Sequence, residues 1–382
     1  MAIKLSKREQ ELFEEAKRFS LKNIAPYSAE WESGNKKPTE AMDLFAQNGY
    51  CGMGLPKGLV ENEYNFLECA LIYEGLAHGD GTIAFLLQLH NNITFEIGTY
   101  YDISEEVKRL VPDMASGKKL TAFALSEETS GSDPSSTTSY AEFKDDGYHI
   151  YGKKEWIANA LDADYFNVMV KDGSPETRDM LMLLVDRNTP GFTIGENRPR
   201  MGSNAMSCCD LKFDDCIVPK KRLLSNQGFK EALRAIDVAR VFDPAIAIGI
   251  SQRVIDMTVE YLGKRIAFKK PIITNQGVQW TLAELSAQVE AGRWLVYRTA
   301  SLMDSGKPIA VQAAMNKLYA TDVAMKVTTE CLQLFGANGY DKQSAVSRYM
   351  AVAKLLQIVD GTSQIQKVVI GRALMNKVLP KK

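Results

Sequence analysis

The chain has 382 residues, 45% of them hydrophobic and 24% charged, which places it among ordinary globular proteins with room for two or three structural units. Forty-six basic residues against 47 acidic ones leave a formal net charge of -1, so the basic excess that nucleic-acid binding requires is missing. No apolar run approaches the ~20 residues of a bilayer span. The N-terminus enters a charged amphipathic helix directly, and no signal peptide is expected.

Residues 8–115 read as helices. Apolar positions recur at helical spacing over 10–22, 38–49 and 63–76, with breaks at Asn35-Lys-Lys-Pro38, Leu55-Pro-Lys-Gly58 and Gly79-Asp-Gly81. Residues 82–99 read as a buried helix. Its few polar positions, Gln88, His90, Asn91 and Asn92, either pair within the protein or line a pocket. From Leu120 the period changes. Short β-prone runs over 120–125, 148–151, 165–170, 180–185 and 209–213, divided by turn residues, predict a β-barrel or sandwich. Helical spacing returns from Phe229, and long segments over 238–262, 276–305, 309–334 and 344–358 predict an antiparallel bundle, with a last helix over 364–377. The expected units are 1–118, 119–228 and 229–382. Six cysteines (51, 69, 208, 209, 216, 331) and three histidines (78, 90, 149) match no zinc spacing. Neither a structural metal nor a disulfide framework is expected, and reduced thiols fit a cytoplasmic protein.

Five stretches carry chemistry, each with a plainer alternative. Phe123-Ala-Leu-Ser-Glu-Glu-Thr-Ser-Gly-Ser-Asp133 can present backbone N–H groups and hydroxyls to a polar ring edge or phosphate, or be a solvated loop. Trp156, between a strand and the small residues Ala158-Asn-Ala160, can lie flat on a ligand or sit in the core. The basic linker 265–276 can clamp a pyrophosphate or simply be solvated. Gly336 and Gly339 can admit a bulky ligand or cap a helix. In Leu355-Leu-Gln-Ile-Val-Asp-Gly-Thr-Ser-Gln-Ile-Gln366, a break after an apolar run expected to pack inside can aim Asp360 into a cavity. Alternatively, Asp360 caps the next helix.

Taken in order along the chain, these stretches resemble the acyl-CoA dehydrogenase family of flavoproteins, over residues 6–377. Residues 123–133 are similar to its first signature and 356–366 to its C-terminal one. Met201-Gly through Phe213-Asp-Asp-Cys-Ile-Val-Pro219 resembles a connecting strand of its middle domain. The resemblance implies a mainly α fold: an N-terminal helical domain, a central β-barrel domain and a C-terminal four-helix bundle. It implies a homotetramer with FAD. Phe123, Leu125, Ser126 and Ser132 would hold the flavin, Trp156 would lie against its ring, and Thr362 and Gln364 would contact the adenosine side. Arg265, Phe268, Gln276, Gln333, Gly336 and Ala337 would reach the FAD of a neighbouring subunit. The CoA thioester would meet Ser132, Asp237, Arg240 and Gly361, and electrons would leave to an electron-transfer flavoprotein.

The sequence departs from the family at telling places. The usual glutamate base is Asp360 here, whose carboxylate is withdrawn by roughly 1.5 Å on ordinary bond lengths. The base position used by some relatives on the first bundle helix matches Ala239. Four residues on stands Asp243-Pro244, where the family is apolar. Asp243 is a second catalytic candidate; the plainer reading makes it a cap at a proline-induced helix break. Ala158 replaces a flavin-contacting threonine, Ala267 follows Arg265 at the next position but one, and Ala351-Val352 stands in for an Arg-Asp pair. The expected activity is removal of an α-proton and a β-hydride from a CoA thioester to give the enoyl-CoA. The extra acid, the shorter base and polar Asn91 point to an alicyclic acyl group such as cyclohexane-carboxyl. The alternatives are an enoyl-CoA reductase on the same scaffold, or a flavin- or CoA-binding protein without catalysis.

Overall fold

The computed structural model describes residues 4–99 and 101–379. The first three residues of the N-terminal reading lie outside the described residues. Seven helices come first: α1 (Lys7–Asn23), α2 (Ser28–Ser33), α3 (Pro38–Gln47), α4 (Phe66–Ala77), α5 (Gly81–Thr99), α6 (Glu105–Lys108) and α7 (Val111–Ala115). Ser6 and Asn65 open α1 and α4 with capping boxes closed by Glu9 and Glu68. Helices α4 and α5 are buried almost all round, which is why their apolar residues show little sidedness in the sequence.

Eight strands follow: β1 (Thr121–Ala124), β2 (Tyr140–Lys144), β3 (Gly147–Ala158), β4 (Tyr165–Asp172), β5 (Met180–Asp186), β6 (Phe192–Asn197), β7 (Cys208–Val218) and β8 (Leu223–Ser225). They form one sheet in the order β6-β7-β3-β2-β4-β5-β8, with β1 parallel to the first half of β4. Among the described residues no pair joins β6 to β8. The strands β2, β6 and β8 escape the sequence reading because they are short or mostly exposed.

The chain then returns to helices: α8 (Gly228–Lys264), α9 (Gln276–Asp304), α10 (Ala310–Phe335), α11 (Ala337–Tyr340), α12 (Ala345–Ile358) and α13 (Ser363–Met375). A two-stranded hairpin, β9 (Ile266–Ala267) with β10 (Lys270–Pro271), links α8 to α9. The break expected at Asp243-Pro244 is absent, since α8 runs straight through Pro244. Proline supplies no N–H to the carbonyl four residues back. Asn316 on α10 donates its Nδ2 to that Arg240 carbonyl instead, at 3.3 Å. The apolar run before Asp360 is only partly inside: Leu356 is buried, whereas Ile358 is exposed.

All six cysteines are buried and unpaired, and among the described residues no His/Cys/Asp/Glu group could hold a metal. Nor is any described helix long and apolar enough to cross a membrane. A buried ion pair fixes the loop after β1. The Lys154 Nζ donates to the Leu125 carbonyl at 3.1 Å, to Glu127 at 2.7 Å and to the Thr137 hydroxyl at 2.9 Å. Burial alone would raise the Glu127 carboxyl, yet Lys154, Thr137 and the Thr138 N–H hold it down at about 2. Its folded pKa is depressed, so its contribution is complete above the unfolded carboxylate range and is lost as pH falls towards 2. Lys154→Met strands the Glu127 carboxylate and is expected to cost roughly 3 kcal/mol. Adding Glu127→Gln should recover part of that cost, as read by urea unfolding at pH 7.

Candidate active site

Asp360 lies in the turn between α12 and α13 with a left-handed backbone, φ 51°, followed by Gly361 at φ 87°. It does not cap α13; the Thr362 hydroxyl does, accepting from the Ile365 N–H. Three consecutive carbonyls of this turn are held by side chains. The buried Lys317 of α10 donates to Val359 and, at 2.7 Å, to Gly361. Arg240 Nε of α8 donates to the Asp360 carbonyl at 2.9 Å, and Gln366 Nε2 to Gly361 at 2.6 Å. A Cβ at Gly361 would stand 2.7 Å from the Arg240 guanidinium, so this glycine is required by contact as well as by φ.

Around the turn lie further ionisable groups. Asp237, half-buried, pairs with Arg240 at 3.0 Å. Asp243 is completely buried, and neither of its oxygens meets a donor among the described residues. Burial first, then the Asp360 charge, push its carboxyl well above the ordinary range, with Lys317 and Arg240 opposing. Burial pulls the Lys317 ammonium down against the attraction of Asp243 and Asp360. On α5, Glu96 is buried with one oxygen unpaired, and Tyr101 donates to the other at 3.4 Å. Burial drives the Glu96 carboxyl well up, and Asp360 adds to this. Lys317 and Glu96 were missed by the sequence reading. Their signal was a charged residue inside a helical stretch of small or apolar neighbours, which is also what a surface residue of an amphipathic helix looks like.

Asn91 is placed elsewhere. Its Nδ2 donates to the Tyr50 carbonyl and the Tyr73 hydroxyl, and its Oδ1 accepts from the Gly52 N–H at 2.7 Å, so its capacity is spent inside the protein.

At the β-domain, Phe123 is half-buried, Leu125 buried, Ser126 half-buried and Ser132 exposed. The loop that follows β1 is tied to β3 by the Glu155 N–H donating to the Ser126 carbonyl at 2.8 Å. Trp156 is no core residue: 53% of it is exposed. It sits at φ 59° in a bulge of β3, where pairing with β7 slips between Lys154 and Ile157, and that turns the indole out of the sheet. The Arg198 guanidinium, held by Asp210 and Glu155, covers one indole face at 4.4 Å. Ala158 follows, half-buried.

Thr362 and Gln364 line an open cleft of about 560 Å³ between α10, α12 and α13. The remaining candidates gather at the other end of the bundle. Tyr261 stacks on Phe335 at 4.4 Å, joining the end of α8, and so Arg265 and Phe268, to Gln333, Gly336 and Ala337. Phe268 tips the β9–β10 hairpin, 93% exposed. Arg240 and Tyr261 are separated along α8 by about 30 Å of helical rise, so this second group is remote from Asp360.

The chain matches the acyl-CoA dehydrogenase N-terminal domain over residues 6–118, the middle domain over 122–216 and the C-terminal domain over 226–375. The chain belongs to the acyl-CoA dehydrogenase family. A short-chain specific acyl-CoA dehydrogenase of Megasphaera elsdenii is 34% identical, with 98% of this chain and 100% of that protein covered. Butyryl-CoA dehydrogenase from Megasphaera elsdenii superposes with a TM-score of 0.92 at 32% identity, covering 98% of this chain and 100% of that one. A chain in a structure of the electron transferring flavoprotein of Acidaminococcus fermentans gives 0.92 at 30% identity, over 98% and 100%. Membership makes this protein a flavoprotein oxidoreductase of acyl-CoA thioesters that uses FAD.

Lys317→Met removes the donor to two carbonyls of the Asp360 turn. Buried unpaired acceptors are costly, so a loss of about 2 kcal/mol is expected in thermal unfolding. Amide exchange over residues 359–362 should quicken relative to the rest of α12.

Proposed function

We propose that the protein converts a CoA thioester to its enoyl-CoA with Asp360 as the base in place of the family's usual glutamate. The observation that carries this reading is the turn at Asp360, whose backbone is pinned by Arg240, Lys317 and Gln366 while no ion pair among the described residues takes up its carboxylate. A rigid turn whose carboxylate is not tied to a cation is what proton abstraction in a fixed geometry requires. The α-proton of a thioester is weakly acidic, and the backbone N–H at Asp360 is this chain's donor to the developing enolate oxygen. FAD supplies the acceptor for the β-hydrogen, which leaves with its electron pair as hydride. Asp360 gains the α-proton, and the electrons of the Cα–H bond become the new double bond. Ser132, Asp237, Arg240 and Gly361 meet the CoA thioester.

The residues fit FAD. The outward indole of Trp156, backed by Arg198, offers its other face to a flat ring beside Phe123, Leu125, Ser126, Ser132 and Ala158, and the cleft at Thr362 and Gln364 takes the adenosine side. Arg265, Phe268, Gln276, Gln333, Gly336 and Ala337 serve the FAD of a neighbouring subunit in a homotetramer. Their distance from Asp360 and the bare Phe268 ring support that division. An electron-transfer flavoprotein in the cytoplasm takes the electrons.

The acyl group is alicyclic. A ring on the α-carbon brings its proton towards a base one methylene short, roughly 1.5 Å. Anaerobic addition of butyryl-, octanoyl- and cyclohexane-carboxyl-CoA tests both readings through bleaching of the flavin. The cyclic thioester should bleach fastest, Asp360→Ala should slow it by about 10²–10⁴-fold, and Asp360→Glu should move the preference towards the linear chains. Equal rates with all three thioesters would refute the alicyclic substrate, and undiminished bleaching in Asp360→Ala would place the base elsewhere.

A further inference from the structure

Asp243 lies three residues beyond Arg240 on α8, so the two side chains leave the helix on one face. The cations near it are spent on other groups. Lys317 donates to the Val359 and Gly361 carbonyls, and Arg240 serves the Asp360 carbonyl and Asp237. Among the described residues no N–H or O–H reaches either Asp243 oxygen, and what faces it is the carboxyl group of Asp360.

Two carboxylates facing each other in a buried site do not both ionise, and a hydrogen bond between them needs one proton. Charge balance names the holder. Arg240 and Lys317 bring two positive charges, and Asp237 and Asp360 two negative ones. A neutral Asp243 leaves the cluster balanced, whereas an ionised one adds an uncompensated charge that no donor among the described residues stabilises. Asp243 is also the more buried partner, with no exposed surface, while Asp360 is half-buried. The other titratable groups here are Tyr73 on α4, Glu96 on α5 and, beside Lys317, Asp322 on α10. Burial favours the neutral form of Tyr73 and Glu96, and Asp322 accepts from Gln357 and Ser363, so none of them supplies a positive charge for an ionised Asp243.

We propose that Asp243 is a positioning residue that stays protonated and donates its O–H to one oxygen of Asp360, turning the other oxygen towards the substrate. This inference rests on the reading of Asp360 as the base. A short side chain that hinges at two bonds is thereby held as firmly as its backbone. When Asp360 takes the α-proton, the pair passes from one proton to two, and the cluster's charge rises by one without any group moving. Ionisation of Asp243 at high pH breaks the pair and sets an alkaline fall in the rate of proton removal.

The test uses the FAD-loaded enzyme. Infrared difference spectra of wild type minus Asp243→Asn at pH 7 should show a protonated carboxyl C=O band that shifts in D₂O. Flavin reduction by the most active thioester of the panel should fall by about 100-fold in Asp243→Ala, the effect of a base misplaced by ~1 Å. It should recover to within about tenfold of wild type in Asp243→Asn, whose amide still donates, and the alkaline fall of the wild type should be missing there. Absence of the carboxyl band, or an unchanged alkaline limb in Asp243→Asn, would overturn the pairing. Failure of the base reading shows separately, as bleaching that survives Asp360→Ala, because the infrared band reports the proton on Asp243 whichever group is the base.

Discussion

Everything at the candidate site depends on the grip of three side chains on one turn. Arg240, Lys317 and Gln366 come from three helices and meet on the carbonyls of Val359, Asp360 and Gly361. A turn with two successive left-handed residues, one of them an aspartate, is not a conformation the chain holds unaided. The surrounding bundle over-determines it. That is also why a lysine and an arginine sit in the protein interior: each is satisfied by backbone oxygens or by Asp237 and not by a bulk of counter-charge.

How much of this was legible in the sequence divides along physical lines. Helical and strand periodicity located the long elements because each buries a face or a whole surface, and the order helices, strands, helices followed. The strands β2, short and only partly buried, and β6, largely exposed, left no such imprint. At the site, Asp360-Gly361 stood out as a break in an apolar run, whereas Lys317 did not, since a lysine's burial is decided by carbonyls 42 and 44 residues away. Two plain readings failed for the same reason. The alternative that set Trp156 in a core, against the ligand-facing reading, meets a bulge in β3 that turns it outward; the alternative that made Asp243 a cap at a break meets a helix α8 that does not break. Each outcome was set by a neighbouring element that local sequence does not encode.

The long helix α8 links two regions of different character. Near its first third it carries buried ionisable residues facing the Asp360 turn, and at its end it hands the chain to an exposed hairpin with a phenylalanine at the tip. The first region is enclosed by its own chain. In the second, Phe268 and Ile266 are exposed large apolar side chains.

Pro244 has a further effect, on the register of the bundle. Helices α8 and α10 run in the same direction, Arg240 level with Asn316 and Tyr261 level with Phe335. Parallel helices packed through small apolar residues can slide by a turn at modest cost. Here the proline leaves the Arg240 carbonyl without its helical donor, and the Asn316 amide on α10 fills it. Slippage in either direction would strand that carbonyl in a dry interface. The imino acid therefore acts as a keyway: a missing hydrogen bond in one helix locks the axial position of the next, and with it the lysine that grips the Asp360 turn.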